Sequence, residues 1–117
     1  MKQVEFEMID NIIILHLEGD MNSCGIMNVE SVLDEIMERN PITIAVDCGR
    51  LLVLDSVTVS QLTKYLKKAK SNNIELVLYN INPEVLMTIT LMQVDGLFTL
   101  VTEEQFERRY INKEMLN

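Results

Sequence analysis

The sequence predicts one α/β domain over residues 1–117, a mixed β-sheet with an amino-terminal hairpin and about four helices. Three observations point there. Two strand-like runs separated by only two residues open the chain, the spacing of a tight antiparallel hairpin. After them, short β-branched runs alternate with segments whose apolar residues recur every three or four positions. That alternation builds strands joined by crossover helices. Finally, 117 residues, 48% of them apolar, are enough for one true core and leave little room for a second.

In the first run Val4, Phe6 and Met8 alternate with Glu5 and Glu7, the period of a half-buried strand. Asp10-Asn11 is a turn signal, and Ile12 to Leu17 reads as the second strand. Gly19 to Ser23 breaks that pattern. Val29, Val32, Leu33, Ile36 and Met37 then form one apolar stripe at helical spacing. Asn40-Pro41 ends this helix, because a residue before proline disfavours the helical conformation. Ile42 to Val46 is apolar on both faces, as a central strand should be. Asp47 to Arg50 leaves it, and Leu51 to Leu54 reads as an apolar connector.

A second helix is expected from about Val57 to Ser71, its buried stripe being Val59, Leu62, Leu66 and Ala69. Lys64, Lys67, Lys68 and Lys70 lie in its last turns, where positive charge complements the helix dipole. Ile74 to Tyr79 is the fourth strand. Asn82-Pro83 starts a third helix, with Asn82 as cap and Pro83 at the first helical position. Its apolar residues fall in two groups. Val85, Ile89 and Met92 take one side; Met87, Leu91 and Val94 lie nearly opposite. One group meets the sheet, and the other packs on a neighbouring helix or faces a partner. Asp95-Gly96 is read as the stop, Phe98 to Val101 as a last short strand, and Thr102 as the cap of a terminal helix holding Phe106 and Tyr110. The tail after Ile111 is expected to fray.

A net charge of −8 repels phosphate backbones and anionic lipid, so nucleic acid and membrane surfaces are poor partners. The same charge suits plain solubility or docking on a basic protein. Cys24 and Cys48 lie far apart with no metal-binding spacing, so no metal is expected and both read as free thiols of a reducing cytoplasm. No signal peptide opens the chain, and no apolar run approaches the ~18 residues that span a bilayer. A cytoplasmic protein without membrane insertion is the expectation.

Catalytic constellations are missing. His16 alternates with Ile12 and Ile14 on a strand and reads as structural or as a strand-end residue, with no orienting partner evident for a general base. There is no phosphate loop and no hydrolase or metalloprotease signature, so no cofactor and no catalytic residue is expected. An enzyme using Cys24 or Cys48 would need a histidine that the sequence does not place near either. Ser56 stands out instead. It follows the apolar connector and opens the second helix, at its N-cap or first helical position. Its hydroxyl can cap free backbone N–H groups. Alternatively it can carry a phosphate, which a helix amino terminus accommodates. A phosphate would add about −1.5 to −2 charges beside Asp55, a local switch able to abolish docking.

Three stretches in order resemble the STAS domain, the fold of bacterial anti-sigma factor antagonists. Gly19-Asp20-Met21-Asn22 looks like the family's G-[DE]-[LI]-D. Val46-Asp47-Cys48, with the connector to Leu54-Asp55-Ser56, looks like its strand, loop and D-S-[ST]-G. Leu78 to Val85 followed by Val94 to Phe98 is similar to its fourth strand, third helix and final turn. The resemblance implies a non-enzymatic binding module. In the family, the serine after the aspartate is phosphorylated by a partner kinase that is also the anti-sigma factor, and only the unphosphorylated form binds it. By position the acceptor here is Ser56, with Asp20, Asn22, Asp47 and Asp55 on the surrounding surface. Val57 and Thr58 beside it, and Met87 and Leu91 from the second apolar group of the third helix, are further candidates for partner contact. Three departures are plain. Val57 removes the family's second hydroxyl, Thr58 stands for its glycine, and Asn22 for an aspartate. They raise a second reading, a STAS module that binds without phosphorylation, in a signalling assembly or on a transport ATPase. The oligomeric state is left open.

Overall fold

A computed structural model describes residues 4–21 and 26–111. Strands β1 (Val4–Ile9) and β2 (Ile12–Met21) form the hairpin. Ile9 faces Ile12 across a two-residue turn, and Asp10 takes φ 55°, a left-handed conformation that aspartate tolerates better than most residues. Then come α1 (Ile26–Glu38), β3 (Thr43–Leu54), α2 (Ser56–Ser71), β4 (Glu75–Tyr79), α3 (Pro83–Leu91), a 3-10 turn at Asp95–Leu97, β5 (Thr99–Val101) and α4 (Glu103–Phe106). The last continues as a π-helical turn, Glu107–Ile111.

The sheet order is β1-β2-β3-β4-β5, with β1 antiparallel and all later neighbours parallel. Strands laid down in one direction with right-handed crossovers send every crossover helix to the same face. So α1, α2 and α3 share one side, where Val29, Leu33, Ile36, Val59, Ala69, Val85 and Ile89 pack against Ile13, Leu15, Ile44, Val46, Leu76 and Leu78. The opposite face holds Ile12, Ile14, Ala45, Val77 and Tyr79, and α4 covers it with Phe106. Phe106 stacks on Tyr79 with centroids 4.3 Å apart, and Tyr110 lies 5.3 Å beyond Phe106. Burial on both faces explains why β3 and β4 read as apolar runs rather than alternating ones.

Three expectations change. Gly19-Asp20 does not end β2. The ladder with β3 shifts register between His16 and Glu18 and again at Gly19/Asp20, and Gly19 takes φ 76°. A bulge absorbs the irregularity and the pairing resumes. For the same reason Leu51 to Leu54 is no connector: it is the end of β3, paired with Gly19 to Met21. And α3 stops at Leu91, before Asp95-Gly96, because Gln93 turns the chain at φ 60°. Val94 therefore leaves the helix and is buried, whereas Met87 and Leu91 are 63% and 74% exposed.

Candidate functional site

The carboxyl ends of β2 and β3 lie side by side, and β3 feeds directly into α2. Asp20 pairs with Val53, and the Asp55 N–H donates to the Met21 carbonyl at 3.4 Å. Asp55 is the N-cap of α2, its Oδ1 accepting the Thr58 N–H at 2.7 Å. The Thr58 side chain and backbone N–H beside it hold the Asp55 carboxyl below the usual carboxylate range. Ser56 is thus the first helical residue and exposed, and the capping bond at this helix end comes from Asp55. The choice left open by sequence falls on the first helical position. Asp55 and Thr58 sit three residues apart, the spacing of a cap and the N–H it accepts, so the signal for this cap was present in the sequence.

Exposed apolar residues stand on either side of Ser56 in the chain. Leu52 is 62% exposed and Val57 56%, with Val53 exposed between Leu52 and the cap. These exposed apolar side chains flank Ser56 in the chain and are candidates for a contact surface. Leu52 and Val53 were not singled out by sequence, because a run read as a connector carries no facing. The start of α3 is tied to the same strand end. Asn82 caps that helix by accepting the Val85 N–H at 2.8 Å, while its Nδ2 donates to the Leu51 carbonyl at 3.0 Å. Met87 and Leu91, one turn apart, share an outward face of α3.

The other expected residues fall differently. Thr58 is fully buried, so its side chain is not part of the exposed surface around Ser56. Asn22 lies outside the described residues. Asp47 stands well upstream on β3, level with Tyr79 on the sheet face that α4 covers. There the His16 Nδ1 proton donates to Asp47 Oδ2 at 2.9 Å, since a carboxylate only accepts, and Asp47 Oδ1 accepts the Gly49 N–H at 2.9 Å. Asp47 therefore does not sit beside Ser56, because alternation along β3 turns it to the opposite side of the sheet.

Glu5, Glu7, His16, Glu18, Asp47 and Arg50 line a shallow cleft of about 390 Å³ on that second face. His16 Nε2 lies 3.5 Å from Glu7 Oε1, so the imidazole links β1 to β3. Among the described residues no three histidine, cysteine, aspartate or glutamate side chains are grouped to hold a metal ion. Burial, with Asp47 adding to it, pushes the Cys48 thiol up to about 12, so at neutral pH it stays protonated and is no nucleophile. Cys24 lies outside the described residues. No described helix is long and apolar enough to cross a membrane.

The family model described as STAS domain matches residues 3–107. No curated protein matches the sequence. Solved structures share the fold at low identity. The anti-sigma factor antagonist SpoIIAA in its unphosphorylated form superposes with a TM-score of 0.74 at 18% identity, over 91% of this chain and 94% of that one. The phosphorylated form of SpoIIAA, a Bacillus cell fate determinant, gives 0.70 at 18% identity, over 91% and 97%. RsbS from Moorella thermoacetica, in a serine-to-glutamate form, gives 0.75 at 19% identity, over 98% and 99%. A chain of the stressosome, a signal integration and transduction hub, gives 0.65 at 22% identity, over 86% and 90%.

Proposed function

Because the chain belongs to the STAS domain family, we propose that it is an anti-sigma factor antagonist, a cytoplasmic binding protein switched off by phosphorylation of Ser56. Its partner is an anti-sigma factor that is also the serine kinase. The observation that carries this reading is the division of labour at the start of α2: Asp55 caps the helix, so the exposed Ser56 hydroxyl is available for modification. Leu52, Val53 and Val57 supply an apolar contact around it, and Asp20 and Asp55 an acidic border. A phosphate placed among these groups adds negative charge to the contact. Likeness to SpoIIAA in both of its forms supports the switch.

The experiment is phosphosite mapping of the protein from its native cells, joined to a binding comparison. A phosphate on Ser56 that a serine phosphatase removes, with a serine kinase retained by the wild type and lost by Ser56→Asp, is the expected result. Ser56→Ala should melt at the wild-type temperature, within about 0.5 kcal/mol, because the cap is elsewhere. An unmodified Ser56 under several growth conditions would transfer support to the second reading, a STAS module working without phosphorylation inside an assembly. The likeness to a stressosome chain and the Val57 and Thr58 departures favour that alternative.

A further inference from the structure

Thr58 is the third residue of the 16-residue helix α2 and is 0% exposed. Its Oγ1 is the buried side-chain polar atom that finds no hydrogen-bond partner among the described residues. A buried hydroxyl that completes no hydrogen bond is costly, and valine would fill the same space without it. The hydroxyl faces the cap. Asp55 Oδ1 holds the Thr58 N–H at 2.7 Å, and the Thr58 side chain helps keep that carboxyl ionised, yet the two side chains do not meet in hydrogen-bonding geometry. The N–H groups of a first helical turn have no partners within the helix, so they add donors at the same place. One helix end therefore offers more donors than the single carboxylate engages.

We propose that Thr58 positions an anion at this helix end: a phosphoryl group on Ser56 displaces the Asp55 carboxylate from the Thr58 N–H and takes the Thr58 Oγ1 proton as a second hydrogen bond. The inference rests on Ser56 being the phosphoacceptor. Its chemistry is a competition. A phosphate carries about −1.5 to −2 charges and three acceptor oxygens, against one charge and two oxygens for the carboxylate. Like charges on adjacent residues repel, so the weaker acceptor yields the shared donor. The spare hydroxyl then favours the phosphate further, because a second bond is available to it. Phosphorylation would thus change the surface twice, by adding the phosphate and by releasing Asp55 outward.

The test installs phosphoserine at position 56 by recoded translation, so no cellular kinase is needed. Failure of the kinase reading and failure of this one are then separate results. Phosphorus NMR follows the phosphate through its second ionisation in the wild type, Thr58→Val and Thr58→Ser. The titration midpoint should be lower in the wild type and in Thr58→Ser than in Thr58→Val. A common midpoint for all three would mean that the phosphate takes no bond from the Thr58 hydroxyl and would overturn the proposal. A further readout needs no variant. The Thr58 amide proton should move downfield when position 56 carries phosphate, and an unmoved amide equally defeats the inference. Thermal unfolding of the unphosphorylated variants verifies that each folds.

Discussion

Asp55 does at one position what Ser56 could have done at the next. A carboxylate at an N-cap joins a hydrogen bond to a favourable position on the helix dipole, and replacing it by alanine costs about 1 kcal/mol. The bond also sets a pH dependence with a definite sign. The folded-state pKa of Asp55 lies below its ordinary value, the Thr58 side chain and N–H being the cause. Its contribution is therefore complete above the unfolded-state pKa of about 3.9 and is lost as the pH falls through the folded value. Asp55→Asn should be less stable than the wild type at pH 7, and the gap should close in acid. Urea unfolding of both proteins from pH 7 to pH 2 measures this. A gap that stays constant with pH would mean that the carboxylate charge plays no part in the cap.

Among the elements, α4 is the one whose place depends most on a few side chains. It begins with a reciprocal cap, Thr102 Oγ1 accepting the Gln105 N–H at 3.0 Å and Gln105 Oε1 accepting the Thr102 N–H at 2.9 Å. Four residues later the turn widens to a π-helix, and Tyr110 reaches back to the sheet. Its hydroxyl donates to Glu75 Oε2 at 2.8 Å, while Thr43 Oγ1 donates to Glu75 Oε1 at 3.3 Å. Burial first, and then the bond to Glu75, push the Tyr110 hydroxyl up to about 12. A raised folded-state value means that the contribution is complete below the unfolded value near 10 and fades as the pH climbs through about 12. Tyr110→Phe should cost about 1–2 kcal/mol at pH 7 by leaving Glu75 short of a donor. It should also flatten the loss of stability between pH 10 and 12, which alkaline denaturation followed by circular dichroism would read. A variant as alkali-sensitive as the wild type would leave that loss to other groups.

On the scale of the whole molecule, chemistry collects where parallel strands end. Three parallel crossovers place the starts of α2 and α3 at the carboxyl end of the sheet, and Asn82 ties α3 to β3 there. The outward face of α3 is then a test of what is core and what is contact. Leu91→Lys and Met87→Lys put charge on side chains that are already mostly in water. Each should change unfolding free energy by no more than about 0.5 kcal/mol. On the proposed function, each should also weaken capture of the protein partner. A variant that fails to fold would show that this face is part of the core, and one that binds normally would remove α3 from the contact.

Much of this was legible in the chain. The hairpin, the helix stripes of α1 and α2, the Asn82 cap and the Thr102 capping box follow from local periodicity and turn chemistry, which act within a few residues. The D-S pair at the mouth of α2 was legible too, as a motif. What local rules could not decide was whatever a neighbouring strand or helix sets. The β2–β3 bulge keeps Gly19-Asp20 paired and turns a presumed connector into strand. Alternation fixed by that ladder sends Asp47 to the far face with His16. The left-handed turn at Gln93 takes Val94 from a helix stripe into the core. Thr58 looks like any polar residue of a first helical turn, and only packing buries its hydroxyl without a partner. Periodicity assigns a residue to a face of its own element, whereas burial depends on what the rest of the chain lays against that face.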